Sequence, residues 1–112
     1  MAVLSSLYIL PKRLFTITEQ IDEVQRKLDV YHIAWNEISY LNDEKKRELL
    51  EVLLDDLQKH AATLVKLTKG LKELMALDLP PMFIERTEAL AQQLEEIKKF
   101  HQILSAKTKD LL

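Results

Sequence analysis

Three histidines, His32, His60 and His101, are the side chains in this sequence best suited to hold a metal ion or move a proton near neutral pH. They lie far apart in the chain. None stands at a useful metal-ligand spacing from another histidine or from a glutamate. His101 follows Leu94 by seven residues and therefore falls on a helical seam, where a partly buried polar residue fixes register. Carboxylates are plentiful, but Asp55 with Asp56 and Glu95 with Glu96 are chain neighbours. Neighbours on a helix point about 100° apart, so neither pair shares a proton or a metal, and both read as solvated faces. Ser5, Ser6, Ser39 and Ser105 lack the context of an activated nucleophile, and no glycine-rich phosphate loop is present. Cysteine is absent, which excludes disulfides, thiol catalysis and thiolate metal sites and suits a reducing cytosol or nucleus. No catalytic, cofactor-binding or metal-ligating residue is expected, so the reading is of a protein that is not an enzyme.

The composition agrees. One glycine in 112 residues leaves little material for hairpins or strained turns. Sixteen basic and 18 acidic residues are interspersed, for a net charge of -2. That balance carries no footprint for nucleic acid. The apolar stretch Ala2 to Leu10 is too short to span a bilayer. Lys12 and Arg13 follow it rather than precede it, which argues against a secretory signal. No membrane association is expected.

What the chain does possess is helical periodicity. Leu7, Leu10, Leu14, Ile17, Ile21, Val24, Leu28, Tyr31, Trp35 and Ile38 alternate steps of three and four without a break. That spacing lays all ten on one stripe that must be buried against another helix. Two seven-residue series follow, Leu50, Leu57, Leu64, Leu71 and Leu90, Ile97, Leu104, Leu111. The expected fold is all-α. A single domain over residues 1–112 holds three long antiparallel helices, coiled-coil-like, at about 12–39, 43–77 and 81–111. Pro11 is placed in the first turn of the first helix, with residues 3–10 left open. Asn42 is read as the N-cap of the second helix, with Asp43–Arg47 and Asp55–Lys59 as surface pairs. Pro80 and Pro81 separate the second and third helices.

Trp35 and Tyr31 read as core or dimer-interface anchors in preference to an exposed ligand platform. Met75, Leu79, Met82 and Phe83 gather at the double proline, where they either cap the hairpin end or form a docking patch for a partner helix.

The segment Trp35-Asn36-Glu37-Ile38, the polar break, the charged start from Asp43 to Arg47, the run Leu71 to Leu77, Pro80-Pro81, and Leu90-Ala91-Gln92-Gln93-Leu94-Glu95-Glu96-Ile97 together resemble a family pattern. It is that of the N-terminal dimerisation and rod region of the antiparallel microtubule crosslinkers. These comprise the protein regulator of cytokinesis, the yeast anaphase spindle elongation factor and the plant microtubule-associated bundlers. The resemblance covers roughly residues 20 to 112. It implies a homodimerising scaffold module of a microtubule-bundling protein in cell division, cytoplasmic and associated with the spindle or cytoskeleton, which recruits partners such as kinesin-class motors. Direct microtubule binding is not carried over to this segment.

From the stripes themselves, a homodimer is expected, with its interface on Leu14, Ile17, Ile21, Val24, Leu28, Tyr31, Trp35, Ile38, Leu50 and Leu57. The third helix, more polar at His101 and Thr108, would extend away as the start of a rod. The alternative is a small helical chaperone or adaptor, of the bacterial secretion chaperone type, which binds a partner's amphipathic helix.

Overall fold

The computed structural model describes the backbone from Ala2 to Leu112 and side chains from Ile9 onward; Leu7, the first residue of the first stripe, lies outside the described side chains. Among the described residues the chain forms three α-helices and no strand: α1 (Ala2–Glu37), α2 (Asp43–Met75) and α3 (Pro81–Leu111). Ile38–Tyr40 form a 3₁₀ turn between α1 and α2.

The ends follow from local chemistry. Asn42 has extended backbone and its Oδ1 accepts the amide of Lys45 at 2.9 Å, which caps α2. Asp43 and Glu44 sit in the first turn of α2 and Lys72 in its last, each charge favourable for the helix dipole. Pro81 starts α3 at the position where a missing N–H costs nothing. Two expected boundaries differ. The helix α2 stops at Met75 rather than 77, and Leu79 in the connection turns inward and is buried. The helix α1 begins at Ala2, so Pro11 lies inside it and not in its first turn. An internal proline costs a helix about 3 kcal/mol. Here the packing of Leu10 and Leu14, on either side of Pro11, against Leu74, Leu79 and Phe83 offsets that cost.

All three helices bury one continuous 3-4 stripe. In α1 it runs Leu14, Ile17, Ile21, Val24, Leu28; in α2 it runs Leu50, Leu53, Leu57, His60, Leu64, Leu67, Leu71, Leu74; in α3 it runs Thr87, Leu90, Leu94, Ile97, His101, Leu104, Thr108. Contacts along the bundle give the directions. Leu10 and Leu14 meet Leu74 and Thr87 at one end, while Trp35 meets Lys107 near the other. Thus α1 and α3 run parallel and α2 runs against both. The result is a rod of 63 × 19 × 17 Å. Its long dimension is set by helices of more than thirty residues at 1.5 Å each.

Two expectations built on the stripes are changed by this packing. Instead of projecting outward, α3 lies along α2 and α1, and its polar seam residues are satisfied. His101 Nε2 bonds the Leu57 carbonyl at 2.9 Å and Thr108 Oγ1 bonds the Leu104 carbonyl at 2.7 Å. Second, three seams do not require a second chain, because three helices turn one seam each toward a common axis. Of the expected surface pairs, Asp55–Lys59 forms at 3.0 Å, whereas Arg47 bonds Glu51 at 3.4 Å in place of Asp43.

Leu57 is fully buried, so Leu57→Ala should lower the unfolding free energy by about 2–5 kcal/mol in urea titration. Val30→Ala, at an exposed position, should change it by no more than about 0.5 kcal/mol. A methyl added at Gly70 meets nothing within 4 Å, and Gly70 lies inside α2. Gly70→Ala should therefore stabilise the chain by up to about 1 kcal/mol in the same titration. Equal losses at Leu57 and Val30, or destabilisation by Gly70→Ala, would refute this packing.

Candidate functional site

Two features of the bundle stand apart from a plain apolar core: a buried histidine pair at mid-length, and a groove beside it. His60 occupies the seam of α2 between Leu57 and Leu64, and His101 occupies the seam of α3 between Ile97 and Leu104. Their rings stack with centroids 5.0 Å apart and an interplanar angle of 18°. His60 and His101 are 3% and 7% exposed. His60 Nε2 bonds the Val24 carbonyl of α1 at 2.9 Å, as His101 Nε2 bonds the Leu57 carbonyl of α2. A helix carbonyl keeps a second lone pair after its intrahelical bond, so each imidazole can donate to one without breaking the helix. The bonds tie α2 to α1 and α3 to α2. Tyr31 of α1 stands edge-on to His60 at 5.5 Å. His60 Nδ1 is buried without a hydrogen-bond partner, consistent with an unprotonated nitrogen in a neutral ring. Two histidines that lie far apart in the chain are thus brought together by the packing of α3 on α2. The signal for it was the position of His60, three residues after Leu57 and four before Leu64, on the same stripe. Among the described residues, no three His, Cys, Asp or Glu side chains converge as a metal site would require.

The groove runs along the α2–α3 flank. Leu57, Leu64 and His101 form its floor, Leu54 and Val65 its α2 wall, and Ala61, Ser105 and Ala106 keep it open. Its volume is about 430 Å³. Lys98 and Lys109 are the only charged residues lining it. A mostly apolar recess with a few polar groups at its margin is the general form of a binding cleft. The two other flanks carry bulkier side chains. Phe100 packs on His32 at 5.1 Å, and the Lys107 ammonium sits 5.5 Å from the centre of the Trp35 ring. Trp35 is half-buried at this flank, and its Nε1 is buried without a hydrogen-bond partner.

The four residues expected at a docking patch separate. Leu79 is buried and plugs the end of the core; Phe83 is half-buried; Met75 and Met82 are exposed, Met82 at 72%. Met82 and Phe83 share a second recess, of about 290 Å³, with Pro11, Phe15 and Arg86 between α1 and α3. Of the ten residues expected at a dimer interface, Leu14, Ile17, Ile21, Val24, Leu28, Ile38, Leu50 and Leu57 are buried within the one chain, and Tyr31 and Trp35 are half-buried. Their burial partners are the chain's own helices, so in this structure they are intramolecular core. No described helix is long and apolar enough to cross a membrane.

Comparisons with protein-family models, with curated proteins and with solved structures return no match.

Burial of His60 makes the fold sensitive to acid. Burial is the largest influence on His60 and holds its pKa below the ordinary 6.5; charge on His101 and Lys27 acts in the same direction, and the bond to the Val24 carbonyl opposes it. The folded chain therefore takes up this proton less readily than the unfolded chain. The stabilisation is complete above pH 6.5 and is lost as pH falls below it through the lowered folded value. The melting temperature should decline as pH falls below about 6.5, a decline that begins above the range where ordinary carboxylates titrate. His60→Phe should flatten that decline. An unchanged slope in the variant would show that this imidazole does not report acid.

Proposed function

We propose that this chain is a non-enzymatic protein-interaction module that takes an amphipathic helix of a partner into its α2–α3 groove. The observation carrying the proposal is the groove itself. Small residues on both facing flanks leave a recess between two helices, whose accessible apolar surface is that of Leu54, Ala61 and Val65 above a buried floor. A helix laid in such a groove inserts its own apolar side chains at i, i+3, i+4 and i+7. This is the adaptor reading of the sequence. Self-coverage of the seams supports it, because one chain completes its core and still leaves a second apolar surface. The crosslinker resemblance supplies a cellular setting for the module, as a scaffold in a microtubule-bundling protein that recruits motors. That setting rests on the residue pattern of 20 to 112 and on no feature of the groove.

Two measurements test the reading. Static light scattering should give the mass of one chain, 13.1 kDa, across a wide concentration range. A constitutive dimer would show that the seams engage a second copy, as the stripes alone had suggested. Bridged amphipathic helical peptides of about 15 residues, long enough to hold a helix when constrained, with neutral flanks, should be titrated into isotope-labelled protein. Amide shifts should concentrate between residues 54 and 65 and between 98 and 109. No shifts, or shifts spread evenly over the rod, would remove the groove as a binding site.

A further inference from the structure

The groove's charge narrows its occupant. Lys98 and Lys109 line it and no acidic side chain does. The two lysines are eleven residues apart on α3. Eleven residues turn a helix by about 1,100°, three full turns and 20°, so both lysines share one face, separated by about 16 Å along the axis. Between them on that face lie Gln102 and Ser105, with Ala61, Leu64 and Val65 opposite on α2. The chain thus presents an uncharged, largely apolar trough with a cation at each end. Lys98 is bonded to Glu95 at 3.1 Å, one turn back on α3. The Glu95 carboxylate is largely exposed, and an exposed pair of this kind exchanges readily for another carboxylate. Among the described residues Lys109 makes no ion pair.

Resting on the groove reading above, we infer that the occupant is an acidic amphipathic helix of a partner protein, with an apolar stripe bracketed by two carboxylates eleven residues apart. The partner helix matches the trough in length as well as in charge. Three turns place its two acids opposite Lys98 and Lys109 while its i+4 and i+7 side chains reach Leu54, Ala61 and Val65, the accessible apolar lining of the trough. The charges select the partner and set its rate of encounter, and the apolar stripe holds it once bound.

The test uses three bridged peptides with the same apolar stripe and bracketing residues of glutamate, glutamine or lysine. Each is titrated into the full chain by fluorescence anisotropy, and the site is located by amide shifts at Gln58, Ala61, Gln102 and Ser105. The glutamate peptide should bind at least about tenfold more tightly than the lysine peptide, a difference of about 1.4 kcal/mol. The gap should shrink in high salt. Lys98→Glu with Lys109→Glu should reverse the preference, and Lys98→Gln with Lys109→Gln should abolish it, with helical circular dichroism unchanged in both. Equal binding of all three peptides in the groove would overturn the charge inference and leave the groove reading standing. Binding of the glutamine peptide without gain from glutamate would do the same. Failure of every peptide to shift the groove amides would overturn both.

Discussion

Each helix in this chain has one apolar stripe, and all three stripes must be removed from water at once. That single constraint organises the molecule. A 3-4 stripe covers a narrow face, so a helix satisfied by it can touch only a small number of neighbours. Three helices turned toward a common axis satisfy all three stripes together, and connections of a few residues then force each neighbour to reverse direction. The charged residues are left to the exposed surfaces, together with scattered apolar side chains such as Ile33 and Val52, and the ion pairs there, such as Arg26–Glu23 and Lys59–Asp55, join residues three or four apart on one helix. Those pairs support the helices locally without choosing their partners.

The stripes also decide where polarity is costly. Thr87, Thr108, His60 and His101 occupy buried seam positions. The threonines resolve the cost locally, by bonding the carbonyls of Ile84 and Leu104 on the preceding turn. The histidines resolve it across helices, and this gives them a structural role that the threonines lack. Each imidazole bonds a carbonyl on a different helix, so a slip of α2 by one turn along α1, or of α3 along α2, would break a buried hydrogen bond. An apolar layer tolerates such a slip more easily, because leucine packs on leucine in more than one register. The two rings therefore fix the axial alignment of all three helices, at the expense of placing polar groups in the core.

Much of this was legible before the structure. Helical class, the start of α2 at Asn42 and the start of α3 at Pro81 follow from side-chain chemistry that acts within one turn. The limits of the reading are equally physical. A stripe shows that a helix must be covered and not which chain covers it, so Leu28 and Leu57 were assigned to a dimer although each is buried by its own chain. Pro11 marks a weak point in a helix, but the packing of Leu10 and Leu14 that carries α1 through it comes from distant residues. The stripe positions of His60 and His101 show that both are buried, but that they meet depends on the register at which α2 and α3 pack antiparallel, which spacing along one helix does not give. The groove was invisible for a similar reason: Ala61, Ser105 and Ala106 look like ordinary helix surface until the two helices that carry them are side by side.

The three flanks of the bundle are not filled alike. A three-helix rod has three grooves, and filling each with long side chains would yield a surface with little apolar recess. On the α1–α3 flank, away from the recess at Met82 and Phe83, the rings of Trp35 and Phe100 with the Lys107 stem supply that filling, and on the α1–α2 flank Tyr31 leans on His60. On the α2–α3 flank the residues at corresponding positions are alanine and serine. Stability alone favours larger side chains there, since added apolar contact removes more surface from water. The unfilled flank lies beside His101, in the layer where the backbone is held most firmly by hydrogen bonds across helices. On the proposed reading, a recess framed by helices tied together in this way changes little on binding, which lowers the ordering cost that a partner helix would have to overcome.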